Sequence, residues 1–222
     1  MKKMLVLLLC AALLLTLCAC GGKKDAAPVQ EVVEDAPRPL LGGWEKQEYT
    51  YLTVEVQELL EKATEGLVGA RYIPVAFLAT QVVAGRNYAL LCRVAPVVAE
   101  PVETWAIVKL YEDPQGKVSL SDVIDSGVPT NINDLPGGWF QCENPSITEE
   151  NKALFDKALE GYKGIALMPV ALAATQVVAG TNYCFLCETD PVTASTCGYA
   201  MVTVYADLNG KAEITDVAEF PA

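Results

Sequence analysis

Histidine, the residue most often used for acid–base catalysis near neutral pH, does not occur in this chain of 222 residues. Its absence excludes the Ser-His-Asp and Cys-His catalytic arrangements and every histidine-ligated metal site. The 28 acidic residues are spread over predicted helices and loops, so a solvated surface explains them better than a catalytic pair of carboxylates. We therefore predict a protein that is not an enzyme and that uses no metal and no cofactor.

Cysteine offers a different chemistry at the N-terminus, where it can carry lipid. Met1-Lys2-Lys3 and the apolar run from Met4 to Ala19 have the charged and apolar parts of an export signal, and the run is short for a membrane-spanning helix. The end of this run, Leu17-Cys18-Ala19-Cys20, resembles the lipobox of bacterial lipoproteins, in which a small residue precedes the acylated cysteine. The pattern predicts a signal peptide at 1–19 and lipid attachment at Cys20, with an uncleaved membrane anchor as the alternative.

Net charge restricts the partners of the exported chain. The formal charge at pH 7 is −12, and removal of the signal would leave 14 basic against 28 acidic residues. Such a surface repels phosphate backbones and anionic headgroups, so we predict no nucleic-acid partner. The acyl chains on Cys20 would then be the contact with the lipid bilayer. These features predict a protein anchored to the outer face of a bacterial membrane, at the cell surface or in the envelope.

A duplicated unit occupies the rest of the chain. Gly42-Gly43-Trp44 recurs as Gly137-Gly138-Trp139, 95 positions later, and residues 42–92 and 137–187 agree at 26 of 51 positions without gaps. The repeat predicts a lipidated Cys20 and disordered tether at 20–41, a first domain at 42–125, a linker at 126–136 and a second domain at 137–222.

Hydrophobic periodicity predicts a strand, a helix and two hairpins in each unit. The helices are expected at 53–67 and 148–162, with Thr53 and Thr148 as N-caps and with Leu67 on the buried face of the first helix. The second hairpins turn at Asp113-Pro114-Gln115-Gly116 and at Asp207-Leu208-Asn209-Gly210. The sequence therefore predicts two α+β domains, each with one helix packed across an antiparallel sheet of about four strands.

This layout resembles the cystatin family, the proteinaceous inhibitors of papain-like cysteine proteases. Thr80 to Gly85 with Asn87-Tyr88, and Thr175 to Gly180 with Asn182-Tyr183, reproduce the family's nine-residue signature except at its variable position. The resemblance covers both units almost fully and implies two tandem cystatin-like domains. It also implies a mechanism, in which the N-terminal glycines and the two hairpins form a wedge that fills the protease cleft without offering a scissile bond.

The resemblance implies protease-binding residues at the N-terminal glycines, the first hairpin and the second hairpin of each unit. They are Gly42, Gly43, Gln81, Val82, Val83, Ala84, Gly85 and Pro114 in the first unit, and Gly137, Gly138, Gln176, Val177, Val178, Ala179, Gly180 and Leu208 in the second.

The function implied is reversible inhibition of a papain-like cysteine protease by a membrane-anchored lipoprotein. Two features depart from the family: an acid, Asp113 or Asp207, begins each second-hairpin turn, and Trp44 and Trp139 directly follow the glycines as expected core residues. These departures keep an alternative open, a non-inhibitory binding or adhesion module for an envelope or host protein, a peptide or a glycan. A spacer between the membrane and an acidic surface is a third interpretation.

The remaining cysteines are expected to have structural roles. Cys92 and Cys187 occupy equivalent positions in the two units and are expected to be buried thiols. Cys142, Cys184 and Cys197 occur only in the second unit, and one pair of them could form a disulfide in an exported protein. Cys184 with Cys197 is the favoured pair, because both lie near neighbouring strands of one sheet. Zinc binding is not expected in a chain without histidine.

Overall fold

The structure is a computed structural model that describes residues 42–133, 135–189 and 198–221. Antiparallel strands make up most of it. The first repeat contains α1 (Val54–Thr64), β1 (Trp44–Lys46), β2 (Ala70–Val83), β3 (Gly85–Pro96), β4 (Thr104–Glu112) and β5 (Val118–Pro129). The second repeat contains α2 (Glu149–Leu159), β6 (Trp139–Gln141), β7 (Leu167–Val178), β8 (Gly180–Thr189), β9 (Gly198–Ala206) and β10 (Ala212–Glu219). Each repeat forms one sheet whose strands lie in chain order, β1-β2-β3-β4-β5 and β6-β7-β8-β9-β10.

The predicted α+β class, with one helix on a sheet of about four strands, is wrong. Among the described residues, 53% lie in strands and 13% in helices, and each sheet has five strands. The first strand is short: β1 has three residues, which pair with residues 79–81 near the end of β2. The prediction also left out the contact between the sheets, which cover one face of each other, while the helices cover the opposite faces. The protein is therefore dominated by sheets.

Both helices begin at the predicted N-caps and end before the predicted C-termini. The side-chain oxygens of Thr53 and Thr148 accept hydrogen bonds from the backbone N–H groups of the third residue after each, which satisfies a donor that the helix leaves unpaired. Gly66, at φ 73°, follows the end of α1 and favours termination there. Leu67 therefore lies outside the helix and is exposed, contrary to the prediction that it would face the sheet.

The strands of the first hairpin in each repeat are buried on both faces. On β8, Phe185 and Cys187 belong to the core beneath α2, as their alternation predicts. Cys184 and Leu186, on the other face, belong to a second core that contains residues from both repeats. We call it the shared core. It is rich in alanines, which let the two sheets approach closely, and these are Ala76, Ala79, Ala89, Ala171, Ala173 and Ala174.

Polar contacts beside the shared core relate the two repeats by a twofold exchange. Lys46 of β1 forms an ion pair with Glu188 of β8, and Arg93 of β3 donates a 2.8 Å hydrogen bond to the side-chain oxygen of Gln141 in β6. Lys46 and Gln141 are equivalent positions, and so are Arg93 and Glu188. The same two positions therefore meet twice with their repeats exchanged, as at the interface of a symmetric dimer.

The cysteines of the sheets are buried thiols where the sequence predicts them. Cys92 and Cys187 are free and buried, and Cys142 and Cys184 are also free. The expected partner of Cys184, Cys197, lies outside the described residues. Cys184 and Cys187 are three residues apart on β8, but their side chains belong to cores on opposite faces of the sheet. They cannot bind one metal ion together.

The predicted N-terminal and linker segments meet the described structure only in part. The predicted signal peptide, Cys20 and tether, residues 1–41, lie outside the described residues. Neither helix within the described ranges is long and apolar enough to cross a membrane. Strand β5 extends to Pro129 and so includes the first residues of the predicted linker, 126–136.

Candidate functional site

Three segments of the first repeat converge at one end of its sheet. Residues 81–85 form the tip of the β2–β3 hairpin, the glycine pair 42–43 lies on one side of it, and the β4–β5 turn at 113–116 lies on the other. The N–H of Gly42 donates to the Val82 carbonyl over 3.1 Å, and the Tyr111 hydroxyl, just before the turn, donates to the Ala84 carbonyl over 2.6 Å. These bonds join both neighbours to the tip. We call the three segments the first edge.

Gln81 fixes the glycine segment to the hairpin. Its Nε2 donates to the Gly42 carbonyl over 2.9 Å, and its Oε1 accepts a 2.7 Å hydrogen bond from Nδ2 of Asn87. Both ends of the amide therefore bond within the chain. The glutamine and asparagine of the signature thus position the edge and set the distance between its first two segments.

Gly85 allows the second hairpin to close over the tip. Its φ is 127°, a conformation that residues with a Cβ rarely adopt. A Cβ at this position would lie 2.3 Å from the Glu112 carbonyl oxygen and 2.9 Å from the Tyr111 ring. Glycine is therefore required for the approach of Tyr111 to the Ala84 carbonyl.

The acid that begins each second-hairpin turn is used to form the turn. One carboxylate oxygen of Asp113 accepts hydrogen bonds from the backbone N–H groups of Gln115 and Lys117, both at 2.9 Å. This is the local bonding expected of aspartate in a turn. Asp207 bonds in the same way, and the backbone N–H of Lys211 holds the pKa of its carboxyl below the usual range. Neither acid is an unpaired charge at the tip of its turn.

The second repeat builds the same arrangement. Its three segments are residues 137–138, 176–180 and 207–210, and we call them the second edge. Nε2 of Gln176 donates to the Gly137 carbonyl over 2.7 Å, and the Tyr205 hydroxyl donates to the Ala179 carbonyl over 2.6 Å. Gly180, at φ 132°, has the same crowded surroundings as its counterpart. The agreement shows that the repeated motif specifies one local geometry.

The edges differ in charge beside the tip. On the first edge, Arg86 pairs with Glu112 across the β3–β4 ladder, and the Glu112 carboxylate also accepts a 2.6 Å hydrogen bond from the Tyr88 hydroxyl. On the second edge the corresponding positions are Thr181 and Ala206. The first edge therefore carries fixed charges next to its apolar tip, and the second carries none at these positions.

The edges also differ in exposed apolar surface. Val177 has 66% of its surface exposed, whereas its equivalent, Val82, is half-buried. Leu208, at the second-hairpin turn of the second edge, is 86% exposed. At these positions an apolar partner surface would therefore gain more from the second edge, because buried apolar area is the main source of association free energy.

The two tryptophans beside the glycines have different environments. Trp139 packs against the shared core, as the sequence predicts. Trp44 is 37% exposed, so its expected core position is wrong. Its indole adds a large aromatic surface near the first edge.

All the residues that the cystatin resemblance implies lie on these two edges, where Gly138 and Gly180 are buried. Cys20, which the lipobox pattern predicts as the lipid attachment site, is outside the described residues. Sequence reasoning named Asn87 and Asn182 only as signature residues and did not assign a role to Tyr111 or Tyr205. These four side chains hold the edges together. The available signal was that both repeats keep them at equivalent positions, although none of them forms part of an exposed tip.

The described residues outside the edges offer little chemistry. They contain no group of three or more cysteine or acidic residues arranged to hold a metal ion. Burial raises the pKa of the Cys92 and Cys187 thiols far above the ordinary range and that of Cys184 to about 12, so these thiols are protonated at neutral pH and are poor nucleophiles. The sequence matches no model of a known protein family, and it matches no curated protein.

Proposed function

We propose that this chain is a membrane-anchored, extracytoplasmic inhibitor of papain-like cysteine proteases that acts by reversible occlusion of the active-site cleft. The observation that carries the proposal is the convergence of three segments into one edge in each repeat, with exposed residues at each hairpin tip. These segments are the ones that the cystatin resemblance implies as a wedge. The proposed export and the attachment to the membrane rest on the N-terminal pattern that ends at Cys20.

The construction of the edges suits an occluding surface. The tip presents valine and alanine side chains, while its backbone is paired in the hairpin up to Val83 and Gly85. A paired backbone resists entry into a protease cleft as an extended substrate. The bonds from Gln81 and Tyr111 hold the segments in place before binding, which lowers the entropy cost of association.

The second-hairpin turns also fit this function. Because Asp113 and Asp207 bond to their own backbones, the exposed apolar residues of the turns, Pro114 and Leu208, are free to contact a partner. Each turn can therefore add one apolar contact beside the tip. A partner would cover roughly 800 Å² of each edge for a stable complex of ordinary size.

The test is a titration of a panel of papain-like proteases with the full chain in detergent. One variant carries aspartate at the paired tip valines of both edges, Val82-Val83 and Val177-Val178. Its control carries aspartate at Val97 and Val98, which are exposed and lie outside both edges. Inhibition by the natural chain and the control, and its loss in the tip variant, would support the proposal. Full protease activity in the presence of micromolar folded chain would contradict it.

A non-inhibitory binding module is the second candidate, and one observation favours it. Gly42 is bonded to the hairpin through both its N–H and its carbonyl, so the glycine segment cannot adapt freely to a cleft. Such a module would bind a partner through the same edges without blocking a protease. Isolation of a partner from the native envelope by the natural chain, and its loss with the tip variant, would support this candidate if the protease panel stays active.

A further inference from the structure

The two edges lie at opposite ends of the paired sheets. Lys46 pairs with Ala79, close to the first tip, yet it contacts Glu188. Glu188 pairs with Met168 at the end of the β7–β8 hairpin farthest from the second tip. The contact between Lys46 and Glu188 therefore lies close to the tip of the first edge and far from the tip of the second edge.

The symmetric contact has the reverse order. Arg93 pairs with Ile73, at the end of the β2–β3 hairpin farthest from the first tip. It contacts Gln141, which pairs with Ala174 near the second tip. The two hairpins therefore run in opposite directions along the sheet-to-sheet contact. Counting residues along the strands places the tips on the order of 40 Å apart.

The surfaces between the tips leave each edge open. The shared core and the polar contacts beside it bury the inner faces of the sheets, and α1 and α2 cover the outer faces. The edges belong to neither buried surface. A protein seated on one edge would extend away from the sheets in the direction opposite to a protein on the other edge.

We propose that the chain binds two protease molecules at once, one on each edge, and so acts as a bridge between them. This inference rests on the proposed function for the identity of the partner, and on the opposed hairpins for the number and placement of the sites. It requires that occupation of one edge leaves the other accessible. A globular partner of about 200 residues has a radius of gyration of about 16 Å, so two partners fit at tips separated by that distance.

The test is a bridging assay with the full chain at one copy per lipid nanodisc. Papain, its catalytic thiol blocked by a small alkyl group, is fixed to a sensor surface and captures the chain. Soluble blocked papain is then added. Two further chains carry aspartate at only one pair of tip valines, Val82-Val83 or Val177-Val178, and circular dichroism checks that each is folded.

Bridging predicts that each captured natural chain binds one soluble papain. Each single-edge variant should still be captured through its intact edge and should bind no soluble papain. Capture of the natural chain with no soluble papain bound would overturn the inference and leave the proposed function standing. Bridging by a single-edge variant would overturn the assignment of the two sites. Failure of papain, and of every other blocked member of the protease panel in the same assay, to capture any folded chain would contradict the proposed function, and the inference with it.

Discussion

Replacement of Leu186 by alanine should reveal whether the two repeats unfold together. Leu186 lies on β8 of the second repeat and is fully buried in the shared core, where it packs with residues of the first repeat. Two domains joined only by a linker would unfold independently, and damage to the second would leave the first unchanged. Two sheets that bury a common core should unfold in one transition.

The expected magnitude follows from the burial. Substitution of a fully buried leucine by alanine lowers the free energy of unfolding by about 3 kcal/mol, from lost transfer free energy and the cavity left behind. With a urea dependence of about 2 kcal/mol per molar, the midpoint of unfolding should fall by about 1.5 M. A probe in either repeat should report the same decrease of the midpoint.

A fluorescent probe in the first repeat makes this measurable. The chain has three tryptophans, and replacement of Trp44 and Trp139 by phenylalanine leaves Trp105, a residue of β4 that is buried in the shared core. Urea unfolding is followed by Trp105 fluorescence and by circular dichroism. As a control, Leu208→Ala makes the same change in the second repeat at an exposed position and should leave the midpoint unchanged.

A single result would refute the reasoning. The circular dichroism of Leu186→Ala could show two transitions, one of them at lower urea, while the midpoint measured by Trp105 fluorescence stays in place. In that case the repeats unfold separately. The shared core would then contribute little to the stability of the first repeat, and the fixed opposition of the two edges would lose its support.

Three other changes should have defined effects. Gly85→Ala should lower the free energy of unfolding by about 2 kcal/mol or more, because a Cβ there meets the Glu112 carbonyl oxygen in a disfavoured backbone conformation; urea unfolding measures it. Glu103→Gln should lower it by about 2 kcal/mol at pH 7, since Glu103 accepts hydrogen bonds from Arg93 at 2.6 and 3.2 Å. Aspartate at the valines of the second edge should weaken protease inhibition more than aspartate at the valines of the first, because Val177 is more exposed than Val82 and the second edge lacks charges beside its tip.

Each of these predictions has a control variant or an outcome that would contradict it. Gly116→Ala also places a Cβ at positive φ, but no atom lies within 4 Å of it, so its cost should be about 1 kcal/mol. A smaller effect at Gly85 than at Gly116 would contradict the close approach described above. Equal inhibition by the two single-edge variants would contradict the predicted difference between the edges.

The Glu103 prediction also has a definite pH dependence. Burial opposes ionisation of this carboxyl, but hydrogen bonds from Arg93 and Thr130 and the nearby arginine charges outweigh it and lower its pKa. A lowered pKa in the folded state stabilises the protein above the ordinary carboxyl range, and this contribution is lost as the pH falls through the lowered value. The difference between the natural chain and Glu103→Gln should therefore shrink as the pH falls below the ordinary carboxyl range and through the lowered pKa of Glu103. A difference that stays constant as the pH falls would show that ionisation of Glu103 does not stabilise the fold.

Local features of the fold could be predicted from the sequence because they depend on nearby residues. Thr53 and Thr148 cap their helices through bonds to residues three positions away, and the alternation on β8 predicts that Phe185 and Cys187 face a helix. The hairpin tips follow from the repeated signature and its glycines. In each case the determining contacts lie within one strand, one turn or one helical turn.

The relation between the repeats could not be predicted in this way. Alternation shows that Cys184 and Leu186 share a face of β8, but it does not show what covers that face. The residues that cover it belong to the other repeat, far away in the chain, and the alanines among them carry no pattern that identifies a partner sheet. The prediction of sheets with one helix and about four strands failed for the same reason, because it treated each repeat as a domain that buries its core alone.

The twofold exchange of Lys46 with Gln141 and of Arg93 with Glu188 has a consequence for how this protein can vary. In a homodimer, one mutation changes two symmetric contacts, so both must tolerate the same residue. In this single chain each contact has its own pair of codons, and one site holds a lysine–glutamate ion pair where the other holds an arginine–glutamine hydrogen bond. The same freedom extends to the two edges, which can diverge toward different targets while the sheets between them remain matched.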